Sequence, residues 1–225
     1  MSGGTRSQSA LVPTLDVEMA LFGEGYRWIG SLDEVGTGSA VGPCHCAIVV
    51  IGPDAGGFPS RLRDSKLLSA SVRQSLVPEI EGWVHEWAIG SASATEIDQL
   101  GLTAALGIAG RRALAQLNVS PSVVLLDGQR DWLTVTQPSI AGAELASVRV
   151  PRVVTKVKAD RYCASVAAAS VLAKVHRDAL LDELAQHYPG YGWERNKGYV
   201  TPTHREAIGR LGLTPEHRHS WNLLD

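Results

Sequence analysis

Residues 27–51 read RWIGSLDEVGTGSAVGPCHCAIVVI, and this stretch decides the fold. Two apolar runs rich in Val and Ile flank a turn holding Gly36, Gly38, Gly42 and Pro43, the pattern of a β-hairpin. The first run, Trp28 to Leu32, ends at two adjacent carboxylates, Asp33 and Glu34. The second, Cys44 to Ile51, is continuously apolar, as a strand buried on both faces would be.

Outward from the hairpin, other acids fall in equivalent places. Val123 to Leu126 is a short apolar strand ending at Asp127, and a β-like segment from Val148 to Val157 ends just before Asp160. Strand ends of one sheet converge, and carboxylates gathered there repel one another unless cations share the site. In a regular strand Asp33 and Glu34 point to opposite faces, so both are expected to line one site only through a backbone turn at Gly36. Hard oxygen ligands suit Mg²⁺ or Mn²⁺, and two such ions roughly 4 Å apart activate water against a phosphodiester. The residues alone thus give a metal-dependent phosphoryl hydrolase.

The intervening segments alternate strand and helix. Ser69 caps a helix expected to end near Pro78, and Trp83 to Ile89 reads as a third strand. A Ser93–Glu96 capping box opens one helix running to about Leu117. Tyr162 to about Tyr188 is Ala-rich without Gly or Pro, a long helix able to pack closely on a sheet, and Thr203 to Leu211 is a last helix. The order argues for an α/β fold with a partly antiparallel sheet.

Composition excludes several classes. The 225 residues, 44% hydrophobic and 20% charged, suit one soluble domain, with residues 1–14 a disordered tail and 15–225 the domain. No apolar run is long enough to cross a bilayer, and Cys44, Cys46 and Cys163 fit small buried hydrophobes in a reducing cytoplasm. Residues 1–148 carry 9 Lys+Arg against 15 Asp+Glu, whereas 149–225 carry 12 against 8, a polarity that suits an acidic metal site beside a phosphate-facing surface. The glycines at 36, 38 and 42 miss dinucleotide-binding spacing and precede a strand, and no Gly-x-x-x-x-Gly-Lys loop occurs. His217 and His219 are expected to be exposed rather than metal ligands.

Six motifs in order, DEVGTGSAVGP, DSKLLS, VLLDG, KVKAD, ASVAAASVLAKVHRD and YPGYGWERNKGYVTPTH, resemble the bacterial type 2 ribonuclease H family from about Gly30 to Trp221. The resemblance implies an RNase H-like fold, a mixed central sheet flanked by helices with a small helical C-terminal part. It implies endonucleolytic cleavage of RNA in RNA–DNA hybrids and on the 5′ side of a ribonucleotide embedded in duplex DNA, leaving a 3′-hydroxyl and a 5′-phosphate. Mg²⁺ or Mn²⁺, two ions with substrate bound, are the implied cofactors, the nucleic acids named are the expected partners, and a monomer with no membrane association is expected.

By position the resemblance places the four catalytic, metal-binding carboxylates on Asp33, Glu34, Asp127 and Asp160, the set already gathered. Tyr199 matches the tyrosine that packs on the sugar and senses the 2′-hydroxyl, the group that separates RNA from DNA. Gly36, Thr37 and Gly38 form the substrate-gripping turn, Lys66 and Lys197 are candidate phosphate contacts, and Asp178 is a structural support. The family has Arg where this chain has Thr37, which removes a fork-like cation that threonine cannot imitate. Weaker binding and poorer discrimination of a single ribonucleotide are expected. The alternatives are a non-catalytic hybrid-binding homologue and another metal nuclease of the superfold, such as a type 1 ribonuclease H or a resolvase-like enzyme.

Overall fold

The computed structural model describes residues 12–135, 145 and 147–224. Five strands, β1 (Ile29–Val35), β2 (Cys44–Ile51), β3 (Glu86–Ala92), β4 (Val123–Asp127) and β5 (Arg152–Lys156), form one sheet in the order β3-β2-β1-β4-β5. β1, β2 and β3 make an antiparallel meander, and β4 and β5 run parallel to β1. The mixed α/β sheet expected from the sequence is therefore present, and the opening stretch is its central hairpin.

Nine helices are described: α1 (Asp16–Gly23), α2 (Ala70–Trp83), α3 (Ala94–Leu100), α4 (Leu102–Ala115), α5 (Trp132–Val135), α6 (Ala159–Tyr162), α7 (Ala164–His187), α8 (Trp193–Asn196) and α9 (Pro202–Leu211). One face of the sheet packs on α7 through Ala167, Ala168, Val171 and Leu172, facing Ile29, Ala47 and Val49. Small side chains let the helix lie close, as the Ala-rich sequence requires. The other face packs on α4, where Leu32, Cys46 and Ile48 meet Ala105, Ile108 and Ala109. Gly90 makes that approach possible, because a Cβ there would stand 2.0 Å from the Ala109 carbonyl oxygen. A third cluster around Trp193, Tyr191, Ile208 and Leu181 binds the small helical C-terminal part to the end of α7.

Several boundaries differ from expectation. α2 runs through Pro78 to Trp83, so the third strand begins at Glu86 rather than Trp83. Proline removes one N–H but Leu76 and Ile80 are fully buried on either side of it, and their burial holds the helix together. The expected single helix from the Ser93 box is two, because Gly101 at φ 80 breaks it. The expected tail lies outside the described residues up to 11. At its end, Thr14 is held in place: its N–H donates to the Tyr162 carbonyl (2.9 Å) and its carbonyl accepts from Ala164 (2.8 Å).

Candidate active site

The four acids meet at the carboxyl end of the central strands. The β1–β4 pairing stops at Leu32 and Leu126, yet β1 continues to Val35. Asp33 and Glu34 therefore project where β4 no longer separates the two faces of the sheet, with Asp127 as the last residue of β4. The strand stays regular through both acids to Val35, and the turn expected at Gly36 (φ 87) comes only after them, so the end of the neighbouring strand rather than that turn lets opposite faces share one site. Asp160 arrives differently from the expected strand end. After β5 the chain passes Lys158 in a left-handed conformation (φ 58) and places Asp160 in the first turn of α6.

Three of the four carboxylates are held by hydrogen bonds. Asp33 Oδ1 accepts from the Glu34 N–H (2.9 Å), and Asp33 is 5% exposed, beside Ser170 on α7, whose hydroxyl bonds Ser65 (2.8 Å). Asp127 Oδ1 accepts from the Ala159 N–H (2.6 Å), which ties β4 to α6. Asp160 Oδ2 accepts from the Lys66 ammonium (3.1 Å). Glu34 Oε2 is buried and, among the described residues, has no hydrogen-bond partner.

Electrostatics record the crowding. Burial, then the charge of Glu34, hold Asp33 well above the usual carboxylate range, with Asp127 and Asp160 adding to the push. Burial and the Asp127 charge raise Glu34 to about 7. Asp127 is raised by burial and then by Asp160. Burial works against the Lys66 charge, but its bond to Asp160 prevails and its pKa is raised. The site is short of positive charge.

The donor set fits divalent cations of the Mg²⁺ or Mn²⁺ type: carboxylate oxygens only, one of them buried without a partner, and acids whose ionisation needs a cation nearby. Among the described residues no three Cys, His, Asp or Glu side chains are already drawn around one point.

Of the residues expected to contact substrate, Lys66 reaches the acids directly through Asp160. The turn of Gly36, Thr37 and Gly38 follows β1, with a bond from the Ser39 N–H to the Gly36 carbonyl (3.3 Å). A Cβ on Gly38 would touch Tyr199 Cε1 at 3.4 Å, so the exposed Tyr199 ring lies against the turn. The Ala40 N–H donates to the Gly198 carbonyl (2.9 Å), which locks the two loops together. Lys66 extends from a short 3₁₀ turn (Ser65–Leu67) capped by Asp64. Lys197 is drawn instead into an ion pair with Asp182 on α7. Asp178 is a support, paired with Arg73 (3.4 Å) and Lys174 (2.6 Å).

The histidines at 217 and 219 diverge. His219 is exposed as expected, but His217 is fully buried: its Nδ1 accepts from the Thr214 N–H (2.9 Å) and its Nε2 lies 3.4 Å from His204 Nε2. The aromatic cluster of Tyr191 and Trp193 covers the pair, a non-local effect no local pattern announces. Sequence reasoning also missed Arg177 and Arg218, both buried beneath the Gly36 turn; a run of His and Arg near the end of the chain carries no signal that one of them is core.

Comparison with known proteins gives a consistent kinship. A family model described as Ribonuclease HII matches residues 29–224. A Ribonuclease HII of Paracoccus denitrificans (strain Pd 1222) is 41% identical over 212 residues, covering 93% of this chain and 91% of that protein. One of Streptomyces coelicolor is 42% identical over 217 residues, covering 95% and 85%. The fold resembles ribonuclease H2 from Pyrococcus horikoshii OT3, with a TM-score of 0.65 at 24% identity over 88% of this chain and 95% of that one. It also resembles the RNase HII solved in a PCNA:RNase HII complex from Archaeoglobus fulgidus, with a TM-score of 0.65 at 26% identity over 87% and 95%.

Proposed function

The chain belongs to the ribonuclease HII family, and from that premise we propose that Asp33, Glu34, Asp127 and Asp160 are the catalytic carboxylates of this type 2 ribonuclease H. The family is a divalent-metal-dependent endonuclease family acting on RNA–DNA hybrids, and among the described residues no helix is long and apolar enough to cross a membrane. The observation that carries the assignment is the meeting of Asp33, Glu34 and Asp127 at the carboxyl ends of β1 and β4 with Asp160 from the first turn of α6, three of the four acids with raised pKa.

In our reading Asp33 and Asp127 would bind the metals, Glu34 would complete the ligand set with its unpartnered oxygen, and Asp160 would hold the second ion or its water. Bound Mg²⁺ or Mn²⁺, two ions with substrate, supplies an activated water and neutralises the charge of the leaving oxygen. Hydrolysis leaves a 3′-hydroxyl and a 5′-phosphate. Lys66 exchanges Asp160 for a substrate phosphate, because its side chain is 72% exposed and tethered only at its tip. Tyr199 packs on the sugar of the ribonucleotide, next to the N–H groups of Thr37 and Gly38. Lys197, held by Asp182, reaches phosphate only by leaving that pair.

We extend the substrates to duplex DNA with one embedded ribonucleotide, with Thr37 weakening the grip. We read residues 15–225 as one catalytic domain acting as a monomer in the cytoplasm, where the three buried, unpaired cysteines suit a reducing medium. Asp127→Asn tests the assignment: Mg²⁺-dependent cleavage of a hybrid is expected to fall by about 10³-fold or more, on the scale of removing a central catalytic group, while hybrid binding persists. Hybrid binding with no cleavage by the unaltered protein would instead establish a binding homologue.

A further inference from the structure

Arg218 is 0% exposed, and no carboxylate among the described residues pairs with it. A buried charge left unpaired costs several kcal/mol, about as much as a well-formed core interaction returns, so the fold must use it for something. All three guanidinium nitrogens point at one turn. Nη2 donates to the carbonyls of Gly36 (2.8 Å) and Gly42 (3.1 Å), Nη1 to that of Thr37 (3.4 Å), and Nε to that of Gly42 (3.2 Å). The flat face of the group lies 4.8 Å from the Trp221 ring centre. Burial lowers its pKa to about 10, which leaves it charged at neutral pH.

The consequence lies on the other side of the turn. In a trans peptide the N–H points opposite to the C=O. With the Gly36 and Thr37 carbonyls turned inward to Arg218, the N–H groups of Thr37 and Gly38 turn outward. Neither donates to an acceptor among the described residues, and Gly38 is exposed. Two adjacent outward N–H groups with a cation behind them make an anion-binding concavity.

Arg177 reinforces the arrangement. It too is buried and, among the described residues, has no acid partner, and it donates to the carbonyls of Val41 (3.0 Å) and Lys197 (3.2 Å), joining the turn to the loop that carries Tyr199. Its Nε has no hydrogen-bond partner among the described residues and sits 2.4 Å from where a Gly36 Cβ would be.

We infer that Arg218 is a positioning residue for substrate, holding the Thr37 and Gly38 N–H groups outward and backing them with charge so that the turn receives one phosphodiester of the bound strand beside the Tyr199 ring. This rests on the nuclease reading and adds to it the source of the turn's affinity.

The test compares Arg218→Gln, Arg218→Lys and Thr37→Pro with the unaltered enzyme on an RNA–DNA hybrid over a series of KCl concentrations, each protein checked for a cooperative melt. Thr37 is not among the positive-φ residues and takes the second position of the turn, where proline is favoured. The change removes the N–H together with the threonine hydroxyl, and Thr37→Ala, which loses the hydroxyl alone and should leave KM unchanged, separates the two. Folded Arg218→Gln is expected to raise KM about tenfold with kcat within about twofold. Its log KM should depend on log salt with a slope shallower by roughly 0.7–0.9, one phosphate contact's worth. Arg218→Lys keeps the slope, Thr37→Pro raises KM, and the double variant is no worse than the larger single change because both act on one anion.

Unchanged KM and slope in folded Arg218→Gln, or fully additive effects in the double variant, would overturn the inference. If Arg218→Gln does not melt cooperatively, Thr37→Pro decides, and an unchanged KM there overturns it. Absence of hybrid cleavage by the unaltered enzyme with either cation would remove the nuclease reading itself, a different result from an active enzyme indifferent to Arg218.

Discussion

The ammonium of Lys66 stands 3.1 Å from Oδ2 of Asp160, a carboxylate whose side chain is 4% exposed. It brings positive charge to a site of four acids, and its own mobility makes the pair weak, on the order of 0.2–1 kcal/mol. A cation entering the site competes with it. Lys66→Gln is therefore expected to tighten Mn²⁺ binding in the absence of nucleic acid by about two- to fivefold, while KM for the hybrid rises several-fold as a phosphate contact is lost. Calorimetric titration with Mn²⁺ checks the first half; weaker Mn²⁺ binding by the variant would contradict it.

Glu34 gives a pH dependence with a definite sign. Its carboxyl titrates near 7 in the fold against an ordinary 4.5, so between those values the native state holds more protons and loses stability as pH rises. Glu34→Gln removes that loss. Without divalent cations, the variant's stability advantage should be absent near pH 4.5 and grow to at most about 3 kcal/mol near pH 7, from 1.36 kcal/mol per unit. His45, lowered by burial to about 3, and His217, lowered to about 4, act oppositely, costing stability as pH falls below about 6.5, but both proteins share them. Thermal melts at several pH values measure the gap, and Mg²⁺ at pH 7 should narrow it. A gap independent of pH contradicts the account.

Gly36 sits at φ 87 with no room for a side chain, since a Cβ would meet Arg177 Nε at 2.4 Å. Gly36→Ala forces a left-handed alanine and displaces a buried guanidinium. Urea denaturation should show a loss of about 2–3 kcal/mol. A loss under about 0.5 kcal/mol, the range of ordinary surface changes, would show that Arg177 yields freely.

Thr37 is half-buried beside an exposed Gly38, so an arginine there has room to reach a phosphate. Thr37→Arg is expected to improve affinity for a duplex with one ribonucleotide by about tenfold and to steepen the salt slope by about 0.9. Equal affinity and slope in the two proteins would show that the side chain at 37 is irrelevant to binding.

The central features were readable because they are local. The apolar run Cys44 to Ile51, the glycine turn and the acids beside it needed only periodicity and turn chemistry to become β1 and β2, and Asp127 follows its strand as the pattern requires. Asp160 is reached through left-handed Lys158, a conformation no composition rule assigns to lysine. Pro78 and Gly101 act in opposite ways on their helices, because burial of Leu76 and Ile80 overrides the proline while Gly101 leaves the helical region altogether. Arg218 and His217 stayed hidden for the same reason: residues about 180 and 13 positions away, respectively, complete their surroundings. Metal-ligand chemistry announces itself by residue type, whereas the support behind a substrate turn is a property of the assembled core.

The most direct measurement is the cleavage pattern on a DNA duplex carrying one ribonucleotide, run with Mg²⁺, with Mn²⁺ and with chelator, for the unaltered enzyme and Asp127→Asn. The account predicts a single incision on the 5′ side of the ribonucleotide, giving 3′-hydroxyl and 5′-phosphate ends, with either cation, abolished by chelator and by the substitution. Incision that survives chelator or the loss of the Asp127 carboxylate would contradict it.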